Sequence, residues 1–428
     1  MPADNRRLLI MLVRPDVTFA LLWIVVFAAY QLRLTGFFPD PQLTVIAMIV
    51  GSLAIGFGST LLWRRLLRPS QSPLTLPNPR MWRPVIFSGL AIWLVGFVAI
   101  IIYSDGMPIY WYTAGVPKTY VDYGMPTFSG AWNTFRVVLA ILASLYLISR
   151  PKLDIAVALV LVFLTATAIC EINRGGFVLF ALNVLAAGIL LAPTLRRQIG
   201  WIVLVSVISL VSIYGMGSAR ATDPKAAAAV AVALAPRDGA VSIDGGGSAG
   251  AGAGAGAGVA AVVSNSQALS WVYLYLTTPI ANLHYAAAKE LRPPQSPAYN
   301  TLYPMLPSVI RPVIAEEFRY PLPLLSPGYT MTTAYGPFVA DFGFLGASLA
   351  MGLQLALGTL VFMLARRSLW ALILAPMFFA TAALSFFTNY FFTLLMPFHA
   401  CLAVGVGQLL VKGLSRERLI VAHEQSLQ

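Results

Sequence analysis

This sequence predicts an all-α, polytopic membrane protein with about ten transmembrane helices and one large outer loop, and three observations carry the prediction. Hydrophobic residues make up 58% of the 428 and charged residues only 10%, where soluble domains carry about 25% charged. The apolar residues gather into stretches close to the roughly 20 residues a helix needs to cross a bilayer. Lys and Arg mark alternate connections between those stretches, the bias that keeps basic loops on the cytoplasmic side. The formal net charge of +12 then reads mainly as a topology signal, not as an affinity for nucleic acid.

Taken in order, Arg6, Arg7 and Arg14 precede the first stretch, 16–32, which is long enough to be a retained helix and not a cleaved signal peptide. The second, 42–62, runs into Arg64, Arg65 and Arg68; Arg80 and Arg83 precede the third, 84–104, so that connection lies inside. Stretches 132–149 and 153–171 flank Arg150 and Lys152, and 176–193 and 199–217 flank Arg196 and Arg197. Stretches 337–364 and 370–388 flank Arg366 and Arg367, and the last, 393–411, precedes Lys412, Arg416 and Arg418. Ten crossings with both termini inside satisfy the charge bias at every turn. The chain divides into a seven-span region (1–217), a large outer loop (218–336) and a three-span region with a tail (337–428). Cys170 and Cys401 lie in apolar stretches and read as small buried hydrophobes, not a disulfide pair.

Two outer segments stand out. Residues 105–131 place Tyr110, Trp111, Tyr112, Tyr120 and Tyr123 among Gly and Pro, either as an interfacial aromatic belt or as rings that stack on sugars. Within 218–336, residues 226–263 are almost entirely Ala, Gly and Val, a composition that buries little and predicts a poorly ordered insert without chemistry. Residues 266–291 regain apolar side chains at helical spacing (Trp271, Tyr275, Leu276, Ile280, Leu283). Pro279 interrupts them, and an eleventh crossing would reverse the charge pattern of everything after it, so an interfacial or re-entrant helix is expected. From Pro293 to Pro337 frequent prolines predict an irregular loop.

Ionisable groups at a membrane edge are costly and so carry a functional hypothesis. Arg136 lies one turn into the fourth stretch; Glu171 and Arg174 end the fifth, followed by Gly175 and Gly176, which permit a tight turn. Glu171 and Arg174, three apart, can pair with each other. Alternatively Arg174 joins Arg136 and Arg220 in a cationic cluster whose guanidinium forks match the oxygens of a diphosphate. Lys289, Arg292, Arg311 and Arg319, with Glu290, Glu316 and Glu317, read as a solvated loop face. His284 is either a hydrogen-bonded structural residue or a base, and His399 a polar packing contact. Asp341 either caps or pairs, or positions an acceptor hydroxyl. Outside the low-complexity Ala/Gly insert the chain has no Asp-x-Asp, P-loop, Gly-x-Ser-x-Gly or His-Glu-x-x-His motif. Metal-bound nucleotide donors and protease chemistry therefore lose weight, and neither a metal nor a cofactor is expected. A lipid diphosphate donor stays open, because that leaving group needs positive charge.

On four features the chain resembles the Wzy family of oligosaccharide repeat-unit polymerases, the O-antigen polymerases. They are Arg174-Gly175-Gly176 opening a helix; the Tyr275 to Leu283 stretch with Pro279 and Asn282; Asp341-Phe342-Gly343-x-x-Gly346 entering a span; and ten spans with one large late loop. The Ala/Gly insert departs from that pattern. The resemblance implies a GT-C-like architecture and an inverting, metal-independent glycosyltransferase of a bacterial inner membrane. It would act at the periplasmic face on undecaprenyl-diphosphate-linked oligosaccharides, moving the growing glycan onto the non-reducing end of an incoming unit, with a chain-length regulator as partner. It further implies Arg136, Arg174 and Arg220 on diphosphate, Asp341 or Glu171 (with His284 second) on the acceptor hydroxyl, and Tyr112, Tyr275, Asn282 and Tyr335 on sugar. An O-antigen ligase shares this architecture and donor. A flippase or transporter would instead place charge at mid-membrane and repeat internally.

Overall fold

Residues 3–34, 38–67, 79–221, 267–289, 298–313, 322–325 and 331–426 are described by a computed structural model of the chain. Helix is the only regular structure among them, as expected where apolar runs must satisfy their own backbone groups. In chain order the α-helices are α1 (Ala3–Leu12), α2 (Pro15–Gln31), α3 (Leu43–Leu66), α4 (Pro79–Ser104), α5 (Pro108–Ala114), α6 (Phe128–Ser149), α7 (Ile155–Cys170) and α8 (Arg174–Leu191). They continue with α9 (Leu195–Ala221), α10 (Gln267–Ala287), α11 (Tyr299–Leu302), α12 (Gly336–Leu364), α13 (Leu369–Ala383) and α14 (Leu395–Ser426).

Among the described residues, six segments are long and apolar enough to cross a membrane: Leu43–Leu66, Met81–Ala114, Phe128–Ser149, Arg174–Leu191, Leu195–Ser212 and Gly336–Leu364. Four shorter apolar helices, Pro15–Gln31, Ile155–Cys170, Leu369–Ala383 and Leu395–Val411, take the remaining apolar stretches of the sequence. This is the make-up of a polytopic membrane protein. One boundary differs: α13 stops at Ala383, where the apolar stretch runs on to 388. Past the helix end Ser385 O accepts from Ala334 N–H at 2.7 Å, and the Asn389 side chain accepts from the backbone N–H of Phe391 and of Phe392 at 3.1 Å each, an Asx-type turn in the connection to α14.

α13 is the centre of the molecule, buried along nearly its whole length and packed by α2, α6, α8, α12 and α14. α3 and α12 form the longest seam. Small residues let their backbones approach: a Cβ on Gly51 would stand 2.5 Å from Ser348 Oγ, and one on Gly352 2.7 Å from Ile55 Cβ. Ser52 Oγ donates to Ser348 O (3.0 Å) and Ser348 Oγ to Met48 O (2.9 Å), so both hydroxyls are satisfied across the seam. α10 lies against α2 and α3 with Thr277–Leu283 buried.

The two ends of the bundle differ. Arg64, Arg65, Arg83, Arg150, Lys152, Arg196, Arg197, Arg366 and Arg367 gather at one, the basic end. There Arg197 donates to the carbonyls of Arg150 (2.8 Å) and Pro151 (3.2 Å), closing the end of α6. Arg14 is also at this end, but it is buried: it donates to both Asp16 carboxylate oxygens (3.2 and 2.6 Å), and Thr60 Oγ1 completes the cluster at 2.8 Å. The opposite end carries the long connections. All six non-glycine residues with positive φ among those described, Arg33, Asp105, Thr127, Ile172, Ala298 and Thr333, lie in connections there.

Candidate functional site

The densest chemistry at the loop end forms where α7 turns into α8. Glu171 is the C-cap of α7, Ile172 reverses the chain at φ +52°, and Asn173 caps α8 by accepting from Gly176 N–H at 3.1 Å. A β-branched residue at positive φ is strained, and such strain persists only where surroundings enforce it. Here the reversal turns Glu171 inward and sets Arg174 at the first position of α8. Gly175 is required by a close approach, because a Cβ there would meet the Tyr390 hydroxyl at 2.8 Å.

Glu171 meets Arg136, not its neighbour in sequence alone: Arg136 Nη1 and Nη2 donate to Glu171 Oε1 and Oε2 at 2.8 Å each. The residues are 2% and 6% exposed. Helical i,i+3 pairing with Arg174 presumes a helix running through both residues, and Ile172 breaks it. The fork is bidentate and charge-assisted, and the Phe180 ring lies 5.9 Å from the guanidinium carbon. The pair is net neutral. Arg136 Nε–H remains without a hydrogen-bond partner, as does the buried Tyr123 hydroxyl. Burial raises the pKa of that hydroxyl, Glu171 raises it further, and Arg136 partly offsets both. Trp111 stands edge-on to Tyr123 at 6.1 Å and donates its indole N–H to Asp105 O at 2.9 Å.

The other acid, Asp341, is buried and fully engaged. Its Oδ1 accepts from Asn300 N (3.0 Å) and Asn300 Nδ2 (2.8 Å), and its Oδ2 from Thr301 N (2.6 Å). These include first-turn amides of α11, which have no partner inside so short a helix, so Asp341 caps α11 and pins it to α12. Two residues on, Gly343 breaks α12 at φ +68° and ψ −176°, a conformation open essentially to glycine. The Asp-Phe-Gly-x-x-Gly motif is thus a cap followed by a helix break, with Gly346 leaving room for Phe342. Segment 298–313 is also tied to the start of α6, where Ser308 N–H donates to Thr127 Oγ1 at 2.7 Å.

The remaining site candidates divide by burial. Tyr335 is buried in the core, donating to Ser52 Oγ at 2.9 Å between Phe19 and Trp23, with no face open to a sugar. Asn282 holds a loop, donating to Met331 O (2.7 Å) and accepting from Leu325 N (3.0 Å). His284 accepts from Gln42 N–H through Nδ1 at 2.9 Å, 5.0 Å from the Tyr30 ring, and burial brings its imidazole down to about 4. That leaves it a neutral holding residue. Tyr112 and Tyr275 are exposed, the latter with its ring 5.8 Å from Phe387. Arg311 closes its own loop onto Leu306 O and Pro304 O, Lys289 covers the Tyr285 ring, and His399 faces Ile373 O at 3.3 Å. The side chains of Arg220 and Trp271, the insert 226–263, and Glu290, Arg292, Glu316, Glu317 and Arg319 lie outside the described residues.

Two site residues carried no distinct signal in the sequence. Tyr123 was one of six aromatics in its segment. Tyr390 follows Thr388-Asn389, a polar step inside an apolar stretch that marks the break where it sits. Among the described residues no group of three or more His, Cys, Asp or Glu is placed to hold a metal. No protein-family model, curated protein or solved structure matches the chain.

Proposed function

We propose that this protein is a membrane-embedded glycosyltransferase that polymerises undecaprenyl-diphosphate-linked oligosaccharide units. In this reading all ten apolar helices cross the membrane, the basic end faces the cytoplasm and the loop end the periplasm. The observation that carries it is the placing of Arg174 at the first position of α8, beside the buried Arg136–Glu171 pair, at the end away from the basic connections. In the reaction an acceptor hydroxyl attacks the anomeric carbon of the growing chain. The bond from that carbon to the diphosphate oxygen breaks, the diphosphate leaves on its lipid, and the hydroxyl proton passes to a base. Charge builds on the leaving diphosphate, so a fixed cation there lowers the barrier.

Arg174, with Arg220 one helix on, is assigned to the diphosphate. Arg136 lies beside it and adds little net charge, because Glu171 answers it. Glu171 is the carboxylate nearest this point and is assigned to the acceptor proton, which requires it to exchange a bond with Arg136 during turnover. Asp341 is assigned to positioning, through the loop it caps.

Purified protein in nanodiscs, supplied with a synthetic lipid-diphosphate oligosaccharide, is expected to give a ladder of multiples and free undecaprenyl diphosphate. Arg174→Ala is expected to lower the rate by about 10²–10³, the usual loss for one group that stabilises developing charge. Unchanged yield and length in that variant would remove the assignment. Lipid moving between leaflets with no ladder would mark a flippase.

A further inference from the structure

We propose that Arg136 and Tyr123 frame a second subsite beside the phosphate position, one that takes an uncharged sugar oxygen (a hydroxyl, ring oxygen or acyl carbonyl) and not phosphate. The choice of a sugar rests on the glycosyltransferase reading above.

Two donors define the place. Arg136 Nε–H and the Tyr123 hydroxyl are both shut off from solvent and both lack a hydrogen-bond partner. Buried polar groups are nearly always satisfied, and one left over calls for a ligand or a water. The two belong together: Glu171 and Arg136 are the strongest charged influences on the Tyr123 hydroxyl. In the resting protein the Arg136 fork is held by two bonds to Glu171. The leftover N–H therefore points from a fixed frame.

Charge selects the occupant. Glu171 cancels Arg136, so a phosphate in this slot would meet a carboxylate with no surplus cation. A neutral oxygen takes the two donors without that repulsion. Arg174 stands at the start of α8 on the same turn, where the diphosphate is assigned. The arrangement orders a substrate, with phosphate at Arg174 and the sugar it carries at Arg136 and Tyr123.

The test uses the full chain in lipid nanodiscs free of sugar detergents, with N-acetylglucosamine and inorganic pyrophosphate as separate probes and the unfolding midpoint as readout. Each probe is expected to raise the midpoint of the parent protein. Tyr123→Phe removes only an unpartnered hydroxyl, so its ligand-free midpoint should not fall. It should lose the N-acetylglucosamine shift and keep the pyrophosphate shift, with Arg174→Ala showing the reverse. Three results would overturn the subsite: no sugar shift in the parent up to the solubility limit, a sugar shift that survives Tyr123→Phe (the slot then holds only water), or loss of the pyrophosphate shift in that variant. A sugar shift that depends on Tyr123, with no pyrophosphate response in any variant, would leave the subsite standing while removing the diphosphate reading.

Discussion

The Arg136–Glu171 pair shows how far one residue's role depends on its partner. Removing one member strands a buried charge, which typically costs about 3–5 kcal/mol. Glu171→Ala is therefore expected to lower thermal stability sharply. Adding Arg136→Met to it should recover most of the loss, since paired apolar replacements of buried ion pairs are often neutral. If the two losses simply add, the pair is not coupled as its geometry implies. His284 gives a second expectation. Its imidazole sits at about 4 in place against an ordinary 6.5, so the undocked state binds more protons. Its contribution to docking α10 is complete above about pH 6.5 and is lost as pH falls toward 4. Tyr30 faces its ring, and Tyr273 and the exposed Arg33–Asp40 pair lie around Tyr30 in turn. Hydrogen exchange in residues 277–287 should accelerate over that window in the parent chain, and His284→Asn should flatten the response.

At the scale of elements, apolar spans were legible in the sequence because a chain in lipid has few alternatives to helix. Their ends were legible only where a local signal existed. α13 stops at Ala383 inside an apolar run, with an Asx turn at Asn389 in the connection that follows, and hydropathy registers neither. Partner choice was not legible: Glu171 bonds a residue 35 positions away and Asp341 bonds 41 away. Which helix ends meet decides such pairs, and local spacing does not. Arg14 is the sharpest case, a topology marker by position that proves to be a buried partner of Asp16 and Thr60. The glycine of the α12 break was visible as a motif, but its backbone role was not. Gly343→Ala should destabilise by about 1–3 kcal/mol, the usual cost of a side chain in a sparsely populated conformation. Gly58→Ala, in open space on helical α3, serves as the control and should leave the unfolding midpoint nearly unchanged. Equal effects would mean the break carries no strain.

Across the whole molecule, strain and polarity are separated by end. The basic end is closed by side chains on helix termini, such as Arg197 on the carbonyls after α6. The opposite end holds every strained non-glycine residue described and both engaged carboxylates of the candidate site. Between them α13 is enclosed on all sides and α3 is locked to α12 through small residues. The break at Gly343 divides α12 unequally in mechanical terms. Beyond it, the long arm is clamped to α3 and has no room to swing. Before it, the short arm is bolted through Asp341 to residues 299–302. A pull on that loop is carried as far as Gly343, and the two dihedrals of one glycine are the fulcrum at which it is absorbed.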